Sequence, residues 1–283
     1  MLTNTIKRLL HIVLVITLSL TSHIIWSADV VLFEEDFDDV ELKDSIAEGV
    51  KGTNVWSDTG PDGWEITNEN PKDLGMPEWR TFAIVKLEWW VQTAEDQERS
   101  QFTSKEKNGK GVGNGVVSDP DEWDDWTQNG DPDSISDWNG HIITPPINIQ
   151  GAGANSLVLS LDSSWRPYDN QTAEITVSFD GNKEERILLF ASSGEQTLVT
   201  IPTLNKSEVV VNDLEQTNES LEIPIDNPDG ADEIVISFGL LTAKNDWWWA
   251  FDNVKLVSTA FVATDVQLKD KLTVKWAELK SIK

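Results

Sequence analysis

Apolar and polar residues alternate along most of this chain with a period of two, and the 3.6-residue period of an amphipathic helix is nearly absent. Over 156–163, Leu157, Leu159 and Leu161 fall on one face and Val158 on the other. Over 172–179, Ala173, Ile175, Val177 and Phe179 alternate with Glu174, Thr176 and Ser178. Asp180-Gly181 then supplies a hairpin turn into a partner run at 185–190. Further short runs at 30–37, 63–67, 79–85, 111–117, 198–201, 209–211, 221–225, 233–241 and 247–257 read as strands. The run 141–149 is broken by Pro145-Pro146, which places it at a sheet edge or a strand boundary. Many short strands divided by turn residues predict an all-β fold, a two-sheet antiparallel sandwich of jelly-roll type.

The pattern changes at both ends. Lys7 and Arg8 precede an apolar stretch from Leu9 to Leu20, and polar and small residues lead up to Ser27-Ala28, the order of a signal peptide. Cleavage is expected after Ala28, with Ser27 as the other position and an uncleaved anchor as the alternative. Export predicts a secreted, periplasmic or cell-surface protein. At the other end, Leu268, Leu272, Trp276 and Leu279 form one helical stripe flanked by Lys269, Lys271, Lys275 and Lys280. The expected organisation is a signal peptide at 1–28, a jelly-roll module at 29–258 and a short basic amphipathic helical tail at 259–283.

Composition narrows the function. The formal net charge is −27, and the leader holds two of the 22 basic residues and none of the 49 acids, so the exported part is more acidic still. Such a field repels nucleic acid and anionic lipid and attracts divalent cations. No cysteine is present, which excludes disulfides, thiolate catalysis and Cys-ligated zinc. A cysteine-free exported domain fits a bacterial origin. Two of the three His lie in the leader, so a site needing two or more His cannot be built around His141 alone. The acids are too many, and too alike in spacing, to single out a glycosidase pair.

The chain carries 14 Trp against one Tyr, and three of them are consecutive at 247–249. Side chains of a strand alternate between faces, so at least one of these indoles faces away from the core. Trp247 and Trp249 share a parity with Phe251 and are expected in the core, whereas Trp248 shares the parity of Asp252. Asp252-Asn253 interrupts the run where a bulge or a metal-held corner would sit. Indoles stack on the apolar faces of sugar rings while Arg fixes hydroxyls. Trp165, Arg166 and Trp248 are therefore the candidate ligand-binding residues, for a polysaccharide or surface glycan. The competing reading puts Trp165 in the core and Arg166 in an ion pair.

Two acidic groups are candidate calcium ligands. The segment 119–125 packs Asp119, Asp121 and Asp124 with Glu122 and Asp125, a crowding that a hard cation relieves, although an EF-hand spacing is lacking. The alternative is a solvated acidic loop. The second group joins the chain ends: if the first strand pairs near the last, Asp36 and Asp38 meet Asp252 and share one structural calcium. A metal bound only by the folded state adds its binding free energy to folding.

A series of motifs points further. It comprises E-D-F-D at 35–38, N-V-W-S-D-T-G-P-D-G-W at 54–64, P-E-W-R-T-F at 77–82 and D-Q-E-R-S-Q-F-T at 96–103. It continues with D-P-D-E-W-D-D at 119–125, S-S-W-R-P at 163–167, Q-T-A-E-I-T-V-S-F-D-G at 171–181 and N-D-W-W-W-A-F-D-N at 245–253. The series resembles a group of exported bacterial jelly-roll modules, similar to MAM-like and galactose-binding-like domains, found alone or appended to secreted proteins such as calcineurin-like metallophosphoesterases. The resemblance implies a β-sandwich with a structural calcium at Asp36 or Asp38 and Asp252, where Asp38 stands in place of a more usual Glu. It implies no phosphoesterase activity, because the His- and Asp-rich motifs of that enzyme are missing. The expectation is a non-catalytic, exported, calcium-stabilised module that binds carbohydrate or another cell-surface component. A structural surface-assembly protein and an unrecognised polysaccharide hydrolase are the alternatives.

Overall fold

The computed structural model describes residues 29–69, 75–93, 95–107, 109–125, 137–212, 218–244 and 246–262. The leader and the helical stripe of the tail lie outside these residues. The first strands in chain order are β1 (Val30–Glu35), β2 (Trp56–Ser57), β3 (Glu65–Asn68), β4 (Ala83–Lys86) and β5 (Asn114–Ser118). They are followed by β6 (Trp138–Ile143), β7 (Ile147–Asn148), β8 (Leu157–Trp165), β9 (Thr172–Phe179) and β10 (Glu185–Ser193). The series closes with β11 (Gln196–Ile201), β12 (Lys206–Val211), β13 (Asn218–Ile225), β14 (Glu233–Ala243) and β15 (Trp249–Ser258). Three short helices, α1 (Leu87–Thr93), α2 (Ser100–Thr103) and α3 (Pro120–Asp124), lie between β4 and β6.

The strands form two antiparallel sheets packed as a sandwich. One sheet runs β13-β8-β15-β5-β4-β2, with β1 also paired to β15; the other runs β12-β11-β10-β9-β14-β6-β3, with β7 paired to β14. The alternation read from sequence is what fills the space between them. Leu157, Leu159 and Leu161 of β8 and Ala173, Ile175 and Val177 of β9 are all buried. Phe251 of one sheet stacks on Phe238 of the other with ring centroids 4.7 Å apart. Pro145 and Pro146 separate β6 from β7, as a proline must where the ladder needs an N–H.

The structure departs from the sequence reading in two places. The run 79–85 is a strand only from Ala83; Pro77–Trp79 forms a 3-10 turn with the proline at its start. The helices were not expected. Each is only one or two turns long, too short to establish a visible 3.6-residue period, and α3 replaces the loop expected over the acidic segment. No described helix is long and apolar enough to cross a membrane.

Candidate functional site

The last strand sets the site geometry through one extra residue. Pairing between β15 and β8 is continuous up to Asp252↔Asp162, slips, and resumes at Lys255↔Ser160. Asn253 occupies the slip with φ of 55°, a left-handed conformation that Asn tolerates better than most residues. The bulge changes the parity of the strand. Trp249 and Phe251 face the core before it, and Val254 and Leu256 face the core after it.

The three tryptophans then divide differently from the expectation. Trp249 points between the sheets, where its Nε1–H donates to Ser163 Oγ at 3.1 Å and Phe251 lies 5.2 Å away. Trp248 precedes the strand and takes the opposite side, donating to Ser164 Oγ at 3.1 Å. It is nonetheless completely buried, because Trp90 of α1 packs edge-on against it at 5.3 Å. Trp247 is the indole that stays half-exposed, not a core residue as its parity suggested. Trp165 is also buried, with Nε1–H donating to Thr197 Oγ1 at 3.0 Å.

Arginines fill the gaps between these rings. The Arg99 guanidinium lies 5.2 Å from the centre of Trp90 and 5.3 Å from Trp248. Arg166 lies 5.0 Å from Trp248 and 3.0 Å from Trp247. The result is a ladder, Trp90–Arg99–Trp248–Arg166–Trp247, running from the interior to the surface. Cations over indole faces are attracted by the ring quadrupole, most strongly where water is excluded. Arg166 ends the ladder in an ion pair with Glu98 at 3.1 Å, and burial lowers its pKa to about 10. The exposed sugar-stacking surface expected of Trp165, Arg166 and Trp248 is therefore corrected: both indoles are packed inside, and Arg166 is held between rings and a carboxylate.

The acidic segment is built around the same arginine. Asp119 is fully buried, accepts from Trp90 Nε1–H at 2.8 Å and pairs with Arg99 at 2.9 Å. Glu122 pairs with Arg99 at 2.6 Å. Burial, and then the Asp119 carboxylate that shares Arg99, raise the Glu122 pKa. Asp121 is raised to about 6 by burial and then by Asp119, and Asp124 to about 7 by burial and then by Asp121. The buried Arg99 guanidinium thus meets the Asp119 carboxylate.

At the other acidic corner the expected pairing is present. β1 runs antiparallel to β15 with Glu35 opposite Val254, and just beyond it the Asp38 charge acts on Asp252. Asp252 is buried and accepts from the N–H groups of Val112 at 3.0 Å and Asn253 at 2.7 Å. Its pKa is raised to about 7, first by burial, with Asp38 and Asp162 adding to the rise. Asp38 Oδ1 accepts from Asn114 N–H at 2.8 Å, and Asp36 Oδ1 from Asp38 N–H at 3.2 Å. Gly113 is required between them: its φ is +76°, and a Cβ there would stand 2.1 Å from Asp38 Oδ1. These carboxylates meet backbone donors. Among the described residues no three His, Asp or Glu side chains converge as a metal cage.

Next to this corner lies a groove of about 730 Å³, lined by Glu35, Asp39, Val40, Glu41, Leu42 and Lys43 on one wall and by Ser57 and the 59–62 turn on the other. Burial, and then Asp36 and Asp39, raise the Glu35 pKa against the opposing hydrogen bond from Phe37 N–H. Lys43 is tied to Asp58. The motifs at 35–38 and 54–64 contain many of these residues, but only the fold brings the two segments to opposite walls of one groove.

No sequence family matches the chain, and no curated protein matches it. Among solved structures it is similar to the K1 cleaved adhesin domain of Lys-gingipain from Porphyromonas gingivalis W83, at 11% identity over 81% of this chain and 98% of that one, with a TM-score of 0.41. It is also similar to TmCBM61 in complex with β-1,4-galactotriose, at 12% identity over 70% of this chain and 89% of that one, TM-score 0.38. A third is the family 11 carbohydrate-binding module of Clostridium thermocellum with a mixed-linked tetrasaccharide, at 10% identity over 79% and 99%, TM-score 0.26. The likeness is one of β-sandwich architecture.

Proposed function

We propose that this protein is an exported, non-catalytic β-sandwich module that binds a neutral carbohydrate or a similar hydroxyl-rich surface component. The observation that carries the reading is the groove beside β1, whose volume of about 730 Å³ falls within the usual range for small-ligand sites. Its carboxylates at Glu35, Asp39, Glu41 and Asp62 accept hydrogen bonds from hydroxyls, while Val40, Leu42 and Pro61 offer apolar contact. An anionic polysaccharide is disfavoured, since the one lysine of the groove is already paired. The groove is open, so it supplies none of the water exclusion that strengthens a catalytic site. A structural calcium belongs to the same proposal, with Asp252, Asp38 and Asp36 as the residues that would hold it, although their three carboxylates do not converge as the corner stands.

A second reading, a polysaccharide hydrolase, is favoured by one feature: Glu35 has a raised pKa beside other carboxylates, as a general acid requires. One experiment separates these readings. Glycan-array binding and product analysis are run on the wild type and on Asp62→Ala, with and without calcium, alongside thermal melting. Retention of intact neutral glycans, weakened by Asp62→Ala, is expected, together with a calcium-induced rise of several degrees in Tm. Equal response on every glycan removes the binding proposal, and released oligosaccharide replaces it with the hydrolase. An unchanged melting temperature removes calcium alone.

A further inference from the structure

We infer that the free edge of β12 is a self-association surface, on which a second copy of this chain pairs antiparallel to continue the eight-stranded sheet. β12 is six residues long and pairs with β11 from Gln196↔Val211 to Ile201↔Lys206 without a register shift. No described strand lies beyond it. The other sheet edges are guarded. β2 and β7 have two residues each, β3 has four, β13 carries Pro224, and β1, though six residues long, is broken by a register shift between Val31 and Phe33. A long, regular edge without proline or bulge is a template for another strand.

The ladder fixes which groups are on offer. Asn212 N–H donates to Glu195 C=O at 3.0 Å, so the even-numbered residues of β12 turn their backbone groups towards β11. Ser207, Val209 and Val211 therefore present theirs outward. Their side chains lie on the outer face of the sheet, where Val209 is 60% exposed, Val211 54% and the neighbouring Leu198 38%. Lys206 and Glu208 sit on the other face and meet each other at 2.8 Å, so neither charge lies on the outer face that Val209 and Val211 occupy.

A two-fold axis through Val209 satisfies all of this at once. Val209 faces its own copy, Ser207 faces Val211 of the second chain, and Val211 faces Ser207. Every outward N–H finds a carbonyl, the exposed valines bury one another, and no like charges stand opposite. β12 is locally neutral in a chain of net charge −27, which makes it a face on which two copies can meet with little local repulsion. Six residues a side is well below the roughly 20–30 of a stable interface. The dimer is therefore concentration-dependent, and it strengthens with salt as the long-range repulsion is screened.

Sedimentation velocity of the purified protein over a wide concentration range, at low and high salt, tests this. A monomer–dimer equilibrium is expected that shifts towards dimer at high salt, is abolished by Val209→Lys and is kept by Val209→Thr, with both variants melting cooperatively. Because the chain has no cysteine, Val209→Cys should oxidise to a covalent dimer many-fold faster than Ser207→Cys, which lies off the axis. A monomer under all conditions overturns a second copy as the occupant. A dimer that survives Val209→Lys, or equal cross-linking at 207 and 209, overturns this edge and register.

Discussion

Several acids of this protein serve as internal acceptors rather than as surface charge. Glu78 Oε1 receives the N–H groups of Ile46, Ala47 and Glu48, and Glu48 in turn accepts from Trp79 Nε1–H. Asp246 binds the N–H groups of Asp169 and Lys244, and Asp119 binds Trp90. Apart from the local Lys244–Asp246 bond, each contact pins a loop to a distant segment, the task that disulfides perform in many exported domains. Hydrogen bonds to a charged acceptor contribute about 1.5–3 kcal/mol each. Arg99 is the counterpart of this set, with no exposed surface and two carboxylates in contact. Replacing it by Met would leave Asp119 and Glu122 buried without their cation. The expected cost is about 3–5 kcal/mol, measured by urea denaturation. The same residue shows what a residue type leaves open: an arginine is ordinarily a surface residue, and only its position between Trp90 and Trp248 assigns Arg99 to the interior.

At the scale of the element, β15 carries the most consequence. Its bulge lets one strand present odd-numbered residues to the core on one side of Asn253 and even-numbered residues on the other. The Asp252-Asn253 interruption was legible as a bulge or a metal-held corner, and the strands carrying Asp36 and Asp252 as neighbours. The helix that covers Trp248 was not, because its seven residues are too few to establish a readable period. A left-handed backbone costs a residue with a Cβ roughly 1–2 kcal/mol, and a β-branched one at least that. Asn253→Val should therefore lower stability by about that amount, whereas Asn253→Gly should be close to neutral. Denaturant midpoints of the two variants check this. The strands themselves were read well wherever one face is buried against the other sheet, as in β8 and β9.

For the whole molecule, charge and burial act in the same direction with pH. Burial raises the carboxyl pKa values of Asp121, Asp124 and Asp252 to between about 6 and 7. The unfolded chain releases these protons near pH 4, so in the window between, the folded state binds more protons than the unfolded one. Their contribution is then fully present below about pH 4 and is lost as pH rises through 6 to 7. Repulsion among the surface carboxylates grows over the same range. Melting temperature should fall from pH 5 to pH 8, and Asp252→Asn, which cannot ionise, should flatten the slope. A melting temperature that climbs over this range would show that ionised, paired carboxylates outweigh the buried, protonated ones.

The sequence by itself determined the all-β class, the order of the main strands, an interruption at Asp252-Asn253 and the exclusion of disulfides, thiolate chemistry and sites needing two or more His. These follow from local rules: side-chain alternation, the missing N–H of proline, and the presence or absence of a residue type. Only the tertiary structure decided which tryptophans are covered. Burial of Trp248 depends on Trp90 and Arg99, which lie far from it along the chain and meet it across an outer layer that no periodicity announces. The groove beside β1 is equally a product of two distant turns brought together by the sheet. Alternation fixes which face of a strand a side chain takes. What stands against that face is fixed by contacts between segments remote in sequence, and that is where the candidate site moved.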